Sequence, residues 1–333
     1  MQQKTINQIV AHRRRTTLIY ATLICTSILT TIGILFWENP MPFGTEQWTL
    51  VAGIRAKTLI IIAIVAICQS FATITFQTAT QNRIITPSIM GFEALYKLVQ
   101  TTFVFMFGIL GATLLDNPLI YLTQAALMVA LAVALYTWLL SGKLGNLHIM
   151  LLIGIILGAG LGSLATFMQR LLEPSAFDVL TARLFGSISN AHTTNLAITI
   201  PIVLTTATII YLRSHTLNLL ALGRETATNL GINHRRHLTL SLLLVSVLMS
   251  MTTSLVGPMT FLGFLVATLT YVLMDTHDHR VLLPASALLG YTILSAAYFI
   301  MRHIFYAQGA VSIIIELIGG TLFLIVIMRK GRL

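Results

Sequence analysis

The chain has 333 residues, 56% of them hydrophobic and only 9% charged, with a mean hydropathy of +0.88. A soluble domain carries about 25% charged residues, so this chain cannot cover a water-facing surface; its solvent is lipid, and its length counts membrane spans rather than globular domains. The formal net charge of +10 comes from Lys and Arg at the edges of apolar runs, with no basic stripe interleaved with aromatics, which argues against nucleic-acid binding.

The first apolar run, 17–37, follows Arg13, Arg14 and Arg15. It is longer than a signal-peptide core and no small-x-small cleavage site follows it, so it reads as a retained span behind a short tail, 1–16. Further runs near the roughly 20 residues that a crossing needs fall at 58–76, 92–115, 119–140, 147–168, 195–212, 238–255, 259–274, 281–301 and 311–328. Gly257-Pro258 marks a tight turn before the short eighth run; seven and eight also read as one broken span. The expected fold class is therefore all-α: a polytopic membrane protein of about ten transmembrane helices in a single domain, 1–333. Cys25 and Cys68 lie inside apolar runs as small packing residues, and there is no C-x-x-C.

Ten spans put both termini on one side. With the N-terminus inside, the outer segments hold only Arg55, Lys57, Arg170, Arg183 and Arg302. Lys97 falls within span three, and the other Lys and Arg residues, Lys143 and Arg332 among them, are inner. That excess places both ends in the cytoplasm.

Three connections are more than turns. The inner 77–91 ends in Thr86-Pro87-Ser88, a cap with Pro at the first helical position, opening span three. The outer 169–194 has its own apolar spacing from Phe177 to Phe185 and predicts a short surface helix before Gly186. The inner 213–237 contains the polar stretch 222–232: Leu222, Gly223, Arg224, Glu225, Ala227, Leu230 and Gly231. Acidic at its start and closed by a glycine, this stretch predicts a helix too short to cross a bilayer, suited either to touch a partner or to lie as a solvated loop.

Each charge within a span needs a reason. Glu93 and Lys97 are four apart on span three and share a helical face; they read as a self-neutralising pair or as a polar spot on a translocation path. Glu316 in span ten has no opposite charge nearby in sequence. Gly154, Gly158 and Gly162 of span five form small-x-x-x-small pairs, which suit close packing or a smooth wall beside a path. Arg55, Lys57 and Arg302 anchor helices at the lipid headgroups or dock an acidic partner.

His277-Asp278-His279 sits on a short turn and reads as solvated; without H-E-x-x-H or Cys/His zinc spacing, no metal site is expected. There is no G-x-S-x-G and no phosphate loop. The chain is expected to be no enzyme and to hold no cofactor. Uphill transport would draw on an ion gradient or on another polypeptide.

Five segments carry a family resemblance. Residues 220–233 are similar to L-x-L-G-E-x-A-x-x-L-G-V, 256–266 to A-G-P-I-x-F-V-G-L-V, and 278–290 to D-H-R-x-L-L-P-x-S-A-L-L-G. Residues 185–191 resemble W-x-x-G-S-L-S-G-A without the tryptophan, and 81–91 resemble R-N-P-L-A-x-P-x-x-L-G. In this order they resemble the FecCD-type permeases of iron–siderophore and cobalamin uptake ABC transporters. The resemblance implies a ten-helix subunit in the bacterial inner (cytoplasmic) membrane. It implies a second permease subunit, identical or different, and two cytoplasmic ATPase subunits that bind ATP and Mg. It also implies an extracytoplasmic siderophore-binding protein and a ferric siderophore as cargo.

On the same basis, 222–232 would be the helix seated in the ATPase, and Lys57 and Arg302, with Arg55 displaced nearby, would dock the binding protein. Lysine lacks arginine's planar fork, so that docking is expected to be softer. The path would run near Gly158, Gly162, Glu93, Lys97 and Glu316. The family's Pro-His is Ala267-Thr268 here, and span ten ends Glu316-Leu317-Ile318-Gly319-Gly320, a variant that resembles the subgroup serving catecholate-type siderophores. The alternative is an ion-driven secondary transporter with Glu93, Lys97 and Glu316 as relay.

Overall fold

Among the described residues all regular structure is helical: fourteen α-helices and a 3-10 turn at Thr193–Asn195. The structure, a computed structural model, describes residues 2–88, 91–114, 117–141, 147–188, 191, 193–306 and 311–330. Ile89 and Met90 at the opening of span three, Leu115 at its end, Lys143, Ser189, Asn190 and Arg332 lie outside them.

The helix α1 (Gln2–Phe36) begins well before the expected span, so most of the stretch read as a tail is helical. Next, α2 (Glu46–Ala79) opens on Thr45, whose hydroxyl accepts from the Trp48 N–H at 3.2 Å. Its 34 residues make a rod of about 51 Å at 1.5 Å per residue, against a hydrocarbon core of about 30 Å. Arg55 and Lys57 therefore lie inside a helix that starts earlier than its apolar run.

The expected third span is two pieces. α3 (Phe92–Phe107) and α4 (Ile109–Leu114) are separated by Gly108, whose φ of 59° breaks the helix. Then follow α5 (Pro118–Ser141) and α6 (Leu147–Gln169). The short helix predicted in the 169–194 connection is α7 (Pro174–Leu184), with Pro at its first turn. After α8 (Leu196–Leu212) come two short helices, α9 (Ser214–Leu220) and α10 (Arg224–Asn229). α11 (His234–Val256) is capped by Asn233 and stopped by Gly257 at φ 83°, which separates it from α12 (Leu262–Met274). The chain closes with α13 (His279–His303) and α14 (Val311–Lys330).

The core is organised on α2, which packs against α1, α8, α9, α11, α12 and α13. Its most apolar window is 83% buried, against 17% for α1 and for α6, so α2 is central and those two are peripheral. Between helices in lipid there is little hydrophobic drive, and small residues and hydroxyl bonds hold contacts instead. α1 and α13 show this. Ser27 bonds Thr292 at 2.7 Å, Thr30 bonds Ser295 at 2.9 Å, and Thr31 bonds Tyr291 at 2.6 Å. Positions 27, 30 and 31 recur at the three- and four-residue spacing that lines one helix face.

Six helices of the described residues are long and apolar enough to cross a membrane. α5, α12 and α14 are apolar over shorter lengths.

Candidate functional site

The end of the molecule that carries α10 holds the most built-up polar arrangement. Gly223, with φ 93°, turns the chain out of α9, and Gly231, with φ 85°, turns it on towards α11. Between them α10 is the short helix the sequence predicts. It presents two faces. Ala227 is completely buried, whereas Leu222 and Leu230 are more than half exposed, beside exposed Arg224 and Glu225. A Cβ on Gly223 would stand 3.1 Å from Nε2 of Gln81, whose amide also donates to the Leu220 carbonyl at 3.4 Å. The turn thus rests on the segment that leaves α2.

Behind α10 the stretch read as a solvated turn is solvated only in part: His277 is exposed and Asp278 half-buried, but His279 is not. His279 is 3% exposed and sits at the start of α13. Its ring Nδ1 lies 2.6 Å from Oδ1 of Asn218 on α9, and its Nε2 lies 2.7 Å from Oγ1 of Thr78 on α2. Asn218 Nδ2 donates to Asp278 Oδ1 at 2.9 Å, and the Arg280 backbone N–H donates to the same oxygen at 3.0 Å. Asp278 is thereby the N-cap of α13. The Asn218 bond first, and the Arg280 bond after it, hold the Asp278 carboxyl below its ordinary range. Next to this lies a cavity of 160 Å³ lined by Gln77, Gln81, Arg83, Tyr271 and His277 among others. Arg83 stacks over the Tyr271 ring at 4.5 Å. The sequence reading missed Asn218, Thr78 and Gln81; the available signal was Asp278 as an N-cap ahead of a long apolar helix.

At the opposite end the three expected docking cations part company. Arg55 is 6% exposed. Its guanidinium donates to the carbonyls of Ile34, Leu35, Trp37 and Glu38 at 3.1, 3.3, 2.7 and 3.0 Å, closing the end of α1. It is no exposed surface cation, because α2 extends past it and folds it inward. Lys57 and Arg302 are exposed. Arg302 donates to the Tyr298 hydroxyl at 3.1 Å, and Glu38 faces His303 at 3.5 Å.

The expected path residues are also rearranged. Glu93 accepts a bond from the Thr260 hydroxyl at 2.6 Å, and its Oε1 is shielded without a partner. No ion pair between Glu93 and Lys97 is found among the described residues. Gly158 and Gly154 are buried where Gly91, with φ 96°, crosses α6; a Cβ on Gly91 would stand 3.2 Å from the Gly158 Cα. The stripe's first pair therefore serves close packing between α3 and α6 rather than an open wall. Gly162 lies at the margin of that contact, near Ala94, and Glu316 is exposed on α14. A second cavity, of 320 Å³, is lined by Gln100, Gln124, Arg183, Ser187 and Asn195 among others. The cavity is polar enough to be wet. No group of three or more His, Cys, Asp or Glu able to hold a metal gathers among the described residues.

The sequence pattern of the FecCD transport family matches residues 15–329. The chain belongs to this family. Among relatives of this FecCD protein, a petrobactin import system permease protein of Bacillus anthracis, FatC, is 45% identical, with 96% of this chain and 90% of the relative covered. A petrobactin import system permease protein of Bacillus subtilis, YclO, is 33% identical over 90% of this chain and 94% of its own. A ferric enterobactin transport system permease protein of Escherichia coli, FepD, is 31% identical over 77% and 75%. A metal-chelate type ABC transporter solved in an inward-facing conformation shares the fold. Its TM-score is 0.78 at 21% identity, with 95% of this chain and 99% of that chain covered.

Proposed function

We propose that this FecCD permease imports a ferric siderophore of the petrobactin class across the bacterial cytoplasmic membrane, driven by ATP hydrolysed in a separate subunit that seats on α10. The observation that carries the coupling is the two-faced α10. A buried Ala227 anchors it, while Leu222, Arg224, Glu225 and Leu230 stand outward with apolar and charged groups side by side, the composition of a protein contact. The substrate class rests on the two petrobactin permeases among the relatives. The ion-gradient alternative, with Glu93, Lys97 and Glu316 as relay, finds no support in a family of ABC permeases.

In this reading the whole chain is one transmembrane domain. Counting α3, α5, α12 and α14 with the six longer helices makes ten crossings, and the Lys and Arg bias supports a cytoplasmic side for both termini and α10. Lys57 and Arg302 then face outward, where they dock an acidic siderophore-binding protein. A second permease subunit covers the exposed apolar faces of α6 and α14, which carry Leu152, Ile156, Ile313 and Leu317. Two ATPase subunits complete the importer and supply the ATP and Mg sites, so this chain itself needs no cofactor. The path runs between the two permeases, near Gly162, Glu93, Lys97 and Glu316. Closure of the ATPases moves α10, and rigid helices tilt to switch the path from one side to the other.

The test is Glu225→Arg in the assembled transporter reconstituted in vesicles. Uptake of radiolabelled ferric petrobactin should fall to background while the variant still inserts and purifies. Wild-type uptake by well-inserted Glu225→Arg would overturn the coupling role. Uptake that survives ATP depletion and stops with an uncoupler would overturn the ATP-driven reading.

A further inference from the structure

We infer that Asn218, Asp278 and His279 form the joint that delivers movement of the coupling segment to the two long helices α2 and α13, and that Asn218 is a positioning residue for transport. The inference rests on the reading of α10 as the ATPase contact.

The chemistry of the joint leaves little freedom. The Asp278 carboxylate can only accept, so Asn218 must turn its NH₂ towards it and its carbonyl oxygen towards His279. That oxygen accepts the His279 backbone N–H at 3.0 Å. It can also only accept from the ring, so Nδ1 carries a hydrogen. In the neutral ring Nε2 is then the acceptor, and it takes the Thr78 hydroxyl proton. One asparagine on α9 therefore bonds the cap, the backbone and the ring at the start of α13, and through the ring it reaches the end of α2. Every link is buried or half-buried, where hydrogen bonds are strongest. Asn218 lies five residues before Gly223, in a helix joined to α10 only by a short glycine turn that Gln81 also braces. A displacement of α10 is thus passed to α9, and from α9 to α13 and α2 through these directional bonds beside the packing of the buried Leu217 and Leu220.

The decisive experiment compares Asn218→Asp, Asp278→Asn, the double variant and Thr78→Val in the full transporter with its ATPase and binding protein. It reads ferric petrobactin taken up per ATP hydrolysed, alongside thermal stability. Asn218→Asp is isosteric but sets two carboxylates face to face, and uptake per ATP should fall about tenfold or more. Asp278→Asn combined with Asn218→Asp lets the amide at position 278 donate to the carboxylate at 218, but gives up the Arg280 N–H bond that shares the same acceptor position, and should recover part of the ratio. Thr78→Val, which frees only α2, should lower the ratio less, about threefold. A cysteine in place of Glu225, crosslinked to the ATPase, reports the docking of α10 separately. If that crosslink does not form, the underlying reading of α10 falls. If it forms while Asn218→Asp keeps a wild-type ratio, or the double variant is no better than Asn218→Asp, the joint is overturned. Should Asn218→Asp fail to insert, an unchanged ratio in Thr78→Val overturns it equally.

Discussion

Replacing Arg55 by Met separates an architectural arginine from a docking one. Met keeps the unbranched stem and removes the guanidinium that four carbonyls share, at 2.7 to 3.3 Å, at the end of α1. The last carbonyls of a helix have no partner within it. A hydrogen bond from a charged donor contributes about 1.5–3 kcal/mol, and one guanidinium cannot satisfy four carbonyls at full strength. Counting the two shortest bonds, to Trp37 and Glu38, and setting the desolvation of the arginine against the others gives a loss of about 3 kcal/mol. That corresponds to a fall in melting temperature on the order of 5 °C, read by thermal unfolding of the purified protein in detergent. Lys57→Glu and Arg302→Glu, on exposed side chains, should change stability by no more than about 0.5 kcal/mol. They should instead slow salt-sensitive association with the binding protein. The reasoning is refuted if Arg55→Met melts like the wild type and fails to bind that protein.

Gly91→Ala should prevent normal packing of α3 on α6, because φ is 96° and the new Cβ meets backbone, the Gly158 Cα at 3.2 Å, which cannot swing away. Strain and overpacking together cost about 2–6 kcal/mol, and the yield of monodisperse protein should fall accordingly. Removing the α1–α13 hydroxyl contacts with Ser27→Ala, Thr30→Val and Thr31→Val should cost about 0.6 kcal/mol each, roughly 2 kcal/mol together. A triple variant as stable as the wild type would show those bonds to be idle. For Asp278 the folded carboxyl titrates below its unfolded value, so its contribution is present above about pH 4 and is lost as pH falls through the lower folded value. Asp278→Asn should flatten the acid limb of a stability–pH curve, and an unchanged limb would refute the assignment.

Residue chemistry alone determined that the chain is a helical membrane protein. It also located the short α10, the short α7 and the separation of α11 from α12. These features depend on local composition: apolar length, an acidic first turn, Pro at a helix start and glycine at a stop. Motif order did the rest of the family assignment. The sequence could not show where side chains meet across elements. Arg55 looks like any surface cation until α2 is seen to begin at Glu46 and carry it against the end of α1. Gly158 looks like a path-lining glycine until Gly91 is found on top of it. Gly108 breaks span three at a positive φ that the apolarity of the run does not report. His279 looks solvated beside Asp278, but its ring partners, Asn218 on α9 and Thr78 on α2, stand 61 and 201 positions away in the chain. Local chemistry decides which segments become helices and which of them seek lipid. Contacts between distant segments decide which polar groups are spent inside the fold and which, like Glu225, Lys57 and Arg302, remain exposed on its surface.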